Sequence, residues 1–350
     1  MKKIVFKRIA PYLKVLAITL LLCYCILLLK SYINIRKSKY NFARIPYHTG
    51  LIEQTNSVFC SMNMAKKTLF SFDNYLFIKE NFSNGQDVYA QIDDNGKHIK
   101  NFTIFDNSLG IAGYTDSCIY WVSDCQLKYR KNNENICRTI HYQKKIINAI
   151  AIDGDNRFLI IDVDTITSYS RTSFSICNKI GNSLNQINTV SIQLPHRYKT
   201  FPEKVLAYSG SFLKSFDCIT YTFSHIPFVY VFDNLGNFIA AIKTNDNVPL
   251  PSIVKYKNFY IFERGKSFNS NISSFVYNNT VCIFPYHSTY NKGFTIDCYS
   301  LTDGIYKGSL YIGNKDGRKV YNSMIDEIAS TSKYILINSN GKLITLRCGN

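Results

Sequence analysis

No Cys-x-x-Cys, His-Glu-x-x-His or Walker-type loop occurs in this 350-residue chain. The nearest approaches to a nucleophile elbow, Gly181-Asn182-Ser183 and Gly265-Lys266-Ser267, lack its second glycine. Six histidines (His48, His98, His141, His196, His225 and His287) lie far apart in sequence, so none forms a local metal pair. Each reads as a surface or satisfied core histidine. Acid is also missing from the first 45 residues, where ten of the 41 Lys and Arg are found; Glu53 is the first carboxylate. Beyond them 31 cations face all 24 acids, so most of the net charge of +17 belongs to the N-terminus. The remaining cations come as singles and pairs such as Lys66-Lys67, Lys144-Lys145 and Arg318-Lys319. No dense stripe tracks phosphates, and nucleic acid is not an expected partner.

Eleven cysteines are present, of which Cys23 and Cys25 fall in the apolar N-terminal segment. The nine that remain are too sparse for a disulfide scaffold, although one or two bridges would suit an exported domain. Cys177, Cys218, Cys282 and Cys298 sit inside apolar strands, where a free cysteine behaves as a small buried hydrophobe. Amphipathic helices are missing after residue 50, apart from one short candidate at Tyr321–Ala329. Parallel βαβ folds need helical crossovers, so antiparallel sandwiches, barrels and propellers remain.

At the N-terminus, residues 1–14 form a basic tail, and Val15–Leu29 (VLAITLLLCYCILLL) carries no charge. Counted from Ile9 with Lys14 snorkelling, about 21 residues at about 1.5 Å each span roughly 31 Å, close to the hydrocarbon thickness of a bilayer. Residues 15–29 are expected to be a single transmembrane helix contacting the lipid bilayer. Lys30-Ser31-Tyr32-Ile33 follows in place of a small-residue cleavage site, and Leu22 and Tyr24 precede the two cysteines where a lipoprotein signal wants small residues. Cations flank the span equally, five on each side, so the positive-inside rule is nearly tied. The layout of an uncleaved signal anchor places the tail inside and the large domain outside the cytoplasmic membrane. Residues 30–50 then read as a juxtamembrane stalk and 51–350 as the folded domain.

Three stretches of that domain share one grammar. Val229–Phe232 is a β-branched and aromatic run, Asp233-Asn234-Leu235-Gly236 a polar turn, and Phe238–Ile242 the returning strand. Val88–Gly96 and Tyr334–Ile344 repeat it. Glycine closes each turn because φ > 0 costs it nothing, and Asp233 or Asn234 can bond the turn's own backbone. Further strands are expected along the chain, including Cys218–Phe223, Val281–Phe284, Phe294–Tyr299, Val190–Leu194 and Val205–Ser209. About 300 residues at one strand per 12 or so give about 24 strands, or six blades of four. On Val88–Gly96, Lys214–Thr244 and Tyr334–Leu346, the chain resembles six-bladed β-propellers of the TolB-like or NHL-like type, especially membrane-anchored bacterial versions. The resemblance implies an all-β propeller of four-stranded antiparallel blades behind one N-terminal transmembrane helix.

Chemistry is harder to find. Asp93-Asp94-Asn95-Gly96 and Asp153-Gly154-Asp155-Asn156 resemble the start of a calcium loop, but neither has a glutamate at the twelfth position. Both are also ordinary hairpin vocabulary. Trp121, the single tryptophan, sits among apolar and aromatic neighbours and reads as blade core. No catalytic, cofactor-binding or metal residue is singled out, and no cofactor is expected. The expected function is a membrane-tethered, non-enzymatic binding or scaffold propeller for a protein, peptide or glycan partner in the cell envelope. The alternative is a propeller hydrolase or lyase with a metal in its central channel, its ligands converging from distant blades.

Overall fold

The computed structural model describes residues 19, 21–26, 44–47, 52–64, 67–73, 75–81, 87–104, 110–134, 136–154, 156–165, 171–191, 198–215, 217–287, 293–313 and 320–348. The chain divides into two units, 1–43 and 44–350. In the first, Thr19 and residues 21–26 are helical. The remainder of the expected span, and the basic tail, lie outside the described residues. Among the described residues no helix is long and apolar enough to cross a membrane.

The second unit contains six four-stranded antiparallel sheets. Its first strand, β1 (Ile52–Thr55), is set apart from the next. Blade one is β2 (Lys67–Phe72), β3 (Tyr75–Asn81), β4 (Asp87–Ile92) and β5 (His98–Ile104). Blade two is β6 (Ile111–Tyr114), β7 (Cys118–Ser123), β8 (Gln126–Lys131) and β9 (Cys137–Ile140). β10 (Lys145–Asp153), β11 (Arg157–Val163), β12 (Thr172–Ile180) and β13 (Ser183–Ser191) make blade three. β14 (Gly210–Ser215), β15 (Cys218–Phe223), β16 (Phe228–Asp233) and β17 (Phe238–Lys243) make blade four. A separate hairpin follows, β18 (Ile253–Tyr256) with β19 (Phe259–Phe262). Blade five is β20 (Asn271–Tyr277), β21 (Thr280–Pro285), β22 (Gly293–Ser300) and β23 (Tyr306–Gly313). Blade six takes β24 (Ile325–Ser330), β25 (Tyr334–Ser339) and β26 (Lys342–Cys348), and β1 completes it as the fourth strand. Ile52 pairs with Cys348 and Thr55 with Thr345, so the two ends of the domain close the ring. Radial repetition of this kind leaves only short outer edges.

Packing explains the strand composition. Each blade is covered on both faces by its neighbours, so its middle strands are largely apolar: β7, β15, β21 and β22 are buried at every position, with Thr220, Thr222, Thr295 and Asp297 among the few polar residues. Outer strands such as β17 are mostly exposed. Trp121 lies in β7 with no exposure, as blade core. Between blades three and four, Phe174 is ringed by Phe212, Tyr221, Phe223, Tyr230 and Phe232 at centroid distances from 4.9 to 6.4 Å. Such aromatic pairs add about 0.5–1.5 kcal/mol each beyond their buried area.

Two local expectations are corrected. Val205–Ser209 is not a strand, because Val205 to Ala207 end the helix α1 (Phe201–Ala207). A capping box wins over the β preference of Val205. The Thr200 hydroxyl accepts from Glu203 N at 3.4 Å, and the Glu203 carboxylate accepts from Thr200 N at 2.8 Å and Lys199 N at 2.9 Å. The short helix expected at Tyr321–Ala329 is one 3-10 turn, Asn322–Met324, running directly into β24. Asn322 explains this: its side chain accepts from Thr295 N and donates to Pro285 O and Thr295 O, all at 2.7 Å, pinning the turn to blade five.

Candidate functional site

Each blade is a meander, so the turns joining second to third strands lie at the same end of the ring as the connections between blades. The first strands of successive blades, β2, β6, β10, β14, β20 and β24, touch in cyclic order around the axis. β14 also reaches β2 and β24 on the far side. Lys214 makes that crossing: its Nζ pairs with Asp73 at 2.5 Å and lies 5.5 Å from the Phe72 ring centroid, and its carbonyl accepts from Ser330 Oγ at 2.5 Å. Lys214 thus ties β14 to the β2–β3 turn by its side chain and to β24 by its carbonyl. Among the described residues no cluster of three His, Cys, Asp or Glu side chains is placed to hold a metal.

A cleft of about 340 Å³ lies between blades two and three. Gln126, Thr139, His141, Tyr142, Lys144 and Asn185 contribute to its wall. The chain after β9 is held there by a short parallel contact with the β12–β13 turn: His141 N donates to Asn182 O at 2.7 Å, and Leu184 N to His141 O at 2.9 Å. Asn182 also accepts from Tyr129 OH at 2.7 Å. Behind this wall Asp162 is fully buried and accepts from Tyr142 OH at 2.6 Å, Ser173 Oγ at 2.9 Å and Lys144 Nζ at 3.3 Å. Burial, then the charge of Asp162, pushes the Tyr142 phenol up, and burial pushes the Cys177 thiol up to about 12. Three donors occupy the Asp162 carboxylate, which anchors the cleft wall and leaves the cavity lined by hydrogen-bonding side chains.

A second constellation joins blades four and five to the start of the domain. Arg44 is buried and donates from Nε and Nη2 to Asp297 at 2.9 Å each, and from Nη2 to Asp246 at 3.0 Å. Ser309 Oγ donates to the same Asp297 carboxylate and meets Tyr306 OH at 2.6 Å. The following residues lie along β23: Tyr47 N donates to Ser309 O at 2.8 Å and Ser309 N to Ile45 O at 2.7 Å. Gly308 is needed beneath them, because a Cβ there would sit 2.7 Å from that of Tyr47. Residues 44–47, expected within the stalk, thus pack as part of the 44–350 unit.

A third feature is an elaborated surface over blade four. α1 contacts both β18 and β19, and Tyr198 OH donates to Pro251 O at 2.8 Å. The His225 ring lies 4.1 Å from Phe262, and burial lowers its pKa.

The residues weighed on sequence grounds are dispersed. His98 bonds Asn101 on an exposed strand, His141 is at the cleft, His225 packs on Phe262, and His287 follows β21. His48 and His196 lie outside the described residues. Asp93 is a turn residue, its Oδ1 accepting from Asn95 N and Lys97 N, and Asp233 does the same for Leu235 N and Asn237 N. Asp155, in the other calcium-like stretch, lies outside the described residues. Ser183 begins β13 beside the cleft, and Ser267 Oγ donates to Ser252 O at the base of the β18–β19 hairpin. Arg44, Asp246, Asp297 and Asp162 carried no sequence signal, since each is a lone charge whose partners are strands away.

No family model and no curated protein matches the sequence. Several solved structures are similar to the chain. The chain is similar to a member of the DUF4221 family from Bacteroides vulgatus, at 11% identity and a TM-score of 0.47 over 89% of this chain and 98% of that one. It is similar to BamB from Moraxella catarrhalis at 7% identity and a TM-score of 0.37, covering 85% and 100%. Virginiamycin B lyase from Staphylococcus aureus is similar at 9% identity and a TM-score of 0.36, covering 85% and 98%. At such identities the likeness is one of fold and says nothing of what this chain binds.

Proposed function

We propose that the protein is a membrane-tethered, non-enzymatic β-propeller that binds a protein, peptide or glycan of the cell envelope in the cleft between blades two and three. The observation that carries this reading is the cleft itself. Its volume falls in the range of ligand sites, and Gln126, Thr139, His141, Tyr142 and Asn185 supply donors and acceptors suited to amides and hydroxyls. Asp162, the carboxylate behind them, is fully buried and already accepts from Tyr142, Lys144 and Ser173, so it anchors the wall of the cleft. Near the axis the Lys214 ammonium already pairs with Asp73, a cation where the metal-centred alternative would need free carboxylates. The tether is the apolar run Val15–Leu29, with the propeller outside the cytoplasmic membrane.

Photo-crosslinking tests the reading. A benzophenone side chain at Gln126, in the full chain in its own membrane, is expected to capture a partner that His141→Ala with Lys144→Ala no longer captures. Stoichiometric calcium or zinc in the purified protein, with turnover of an ester or lactone and no captured partner, would falsify it. A phosphatase fused after residue 60 tests the topology, and activity only on the cytoplasmic side overturns the exported orientation.

A further inference from the structure

The hairpin of β18 and β19 belongs to no blade, and its turn end forms an exposed finger. Its register pairs Val254 with Ile261 and Tyr256 with Phe259, so these four side chains share one face. They are exposed by 37%, 43%, 57% and 71% respectively. The opposite face holds the base: Ile253 packs on the main core, and Phe262 on His225. The base is anchored and the tip stands free. At the turn Lys257 takes a φ of +54° and its Nζ lies 5.6 Å from the Tyr256 ring centroid. From Ile253 to Lys266 the chain carries Lys255, Lys257, Arg264 and Lys266 against one acid, Glu263. That carboxylate is already engaged by Ser252 Oγ and Lys266 Nζ, both at 2.7 Å.

We propose that this finger seats its apolar tip in the interfacial zone of an anionic lipid bilayer, with Lys255 and Lys257 meeting the headgroup phosphates. Three observations favour lipid over a protein partner. The charge around the tip is positive, which complements an anionic surface and is worth about 1 kcal/mol, or about fivefold, per cation. Its cations are lysines, which protein interfaces disfavour at their centre and whose long stems snorkel readily beside apolar tips. The apolar area comes from four side chains, well short of the ~800 Å² per partner of an ordinary protein interface. The finger is independent of what occupies the cleft.

The single native tryptophan makes a clean test, because Trp121 is fully buried and its emission reports only the fold. Phe259→Trp adds an exposed reporter. The full chain is reconstituted in brominated-lipid vesicles of phosphatidylcholine with or without phosphatidylglycerol at roughly one third, the anionic charge being what the lysines need. Severalfold quenching of the new tryptophan is expected in the anionic vesicles only, with the partitioning of the tip into them falling about fivefold per lysine in Lys255→Gln and Lys257→Gln. Equal emission in both vesicles overturns the proposal. So does a photo-reactive group at position 259 that crosslinks to protein rather than lipid in native membranes.

Discussion

Arg44 and Asp297, 253 positions apart in sequence, meet in a two-point ion pair buried between blades four and five. Asp246 shares the same guanidinium, so one cation serves two carboxylates. The Arg44 pKa rises despite burial because both carboxylates hold its charge. Burial, the largest influence, pushes Asp246 up to about 7 even though Arg44 pulls it down. Replacing Arg44 by Met leaves two buried acids without a cation and is expected to cost about 3–5 kcal/mol in urea unfolding at neutral pH.

The same site sets a pH slope. The folded pKa of Asp246 lies above its ordinary 3.8, so the folded protein keeps a proton that the unfolded chain has lost. Stability from this group is complete below about pH 4 and is lost as pH rises towards about 7. Asp246→Asn mimics the protonated acid and should flatten that part of the curve. Identical slopes for the two proteins in urea melts would contradict the assignment.

His225 carries the opposite sign. Burial holds its folded pKa below the usual value, with a smaller upward pull from the Phe268 carbonyl, so its contribution is present above the usual value and is lost on acidification. Hydrogen exchange of residues 253–268 is expected to accelerate from about pH 7 to about pH 5, and to do so less in His225→Asn. Exchange that ignores pH, once corrected for intrinsic rates, would remove His225 as the clasp of the finger.

Phe174 and Phe259 separate packing from presentation. Phe174→Ala empties a site where five aromatic rings converge and should cost about 3–5 kcal/mol. Phe259→Ala removes a ring that is mostly exposed and should stay within about 0.5 kcal/mol. Chemical melts of the two variants would show comparable losses if the finger were a structural part of the ring.

Cysteine reactivity gives a further check, since every cysteine is free. Burial raises the Cys60 thiol, but hydrogen bonds with Thr345 and Ser57 outweigh it and hold the pKa below the usual value. Cys60 is exposed and should alkylate early, whereas Cys118, Cys177, Cys218, Cys282, Cys298 and Cys348 should react only after unfolding. Mass spectrometry of the alkylated native protein reads both outcomes. Labelling of Cys282 or Cys298 without denaturant would show that blade five opens.

Middle strands such as β15, β16 and β21 are legible because burial on both faces writes them as largely apolar runs, whereas β8 and β12 carry no such run. Cys218–Phe223 was placed to the residue, and the turns at Gly96, Gly236 and Gly341 all have the positive φ their glycines suggested. The six-blade count also holds. Of the first strands, β10 is legible in its apolar run Ile146–Ile152, but β2, β14 and β24 are not, because Lys67-Thr68-Leu69, Gly210-Ser211-Phe212 and Ile325-Asp326-Glu327 mix small, polar and charged residues that carry no apolar pattern. Helix α1 was misread because its capping box lies before the apolar stretch that suggested a strand. The cleft and the Arg44 site were invisible for a different reason. Tyr142 meets Asp162 through the pairing of β10 with β11, and Arg44 meets Asp297 only once the start of the domain lies along blade five, so neither pair shows in the linear pattern.

Closure by β1 also fixes the order in which the ring can be finished. The outer strand of blade six leaves the ribosome first, yet its hydrogen-bond partner follows 290 positions later, where Thr345 Oγ1 donates to Thr55 O at 2.6 Å. At roughly 5–20 residues per second, Ile52–Thr55 waits about 15–60 s for β26 to be made. Blades one to five can form in sequence during that interval, each from contiguous chain. The sixth cannot, and a ribosome stalled before β26 would release five completed blades with an unclosed seam.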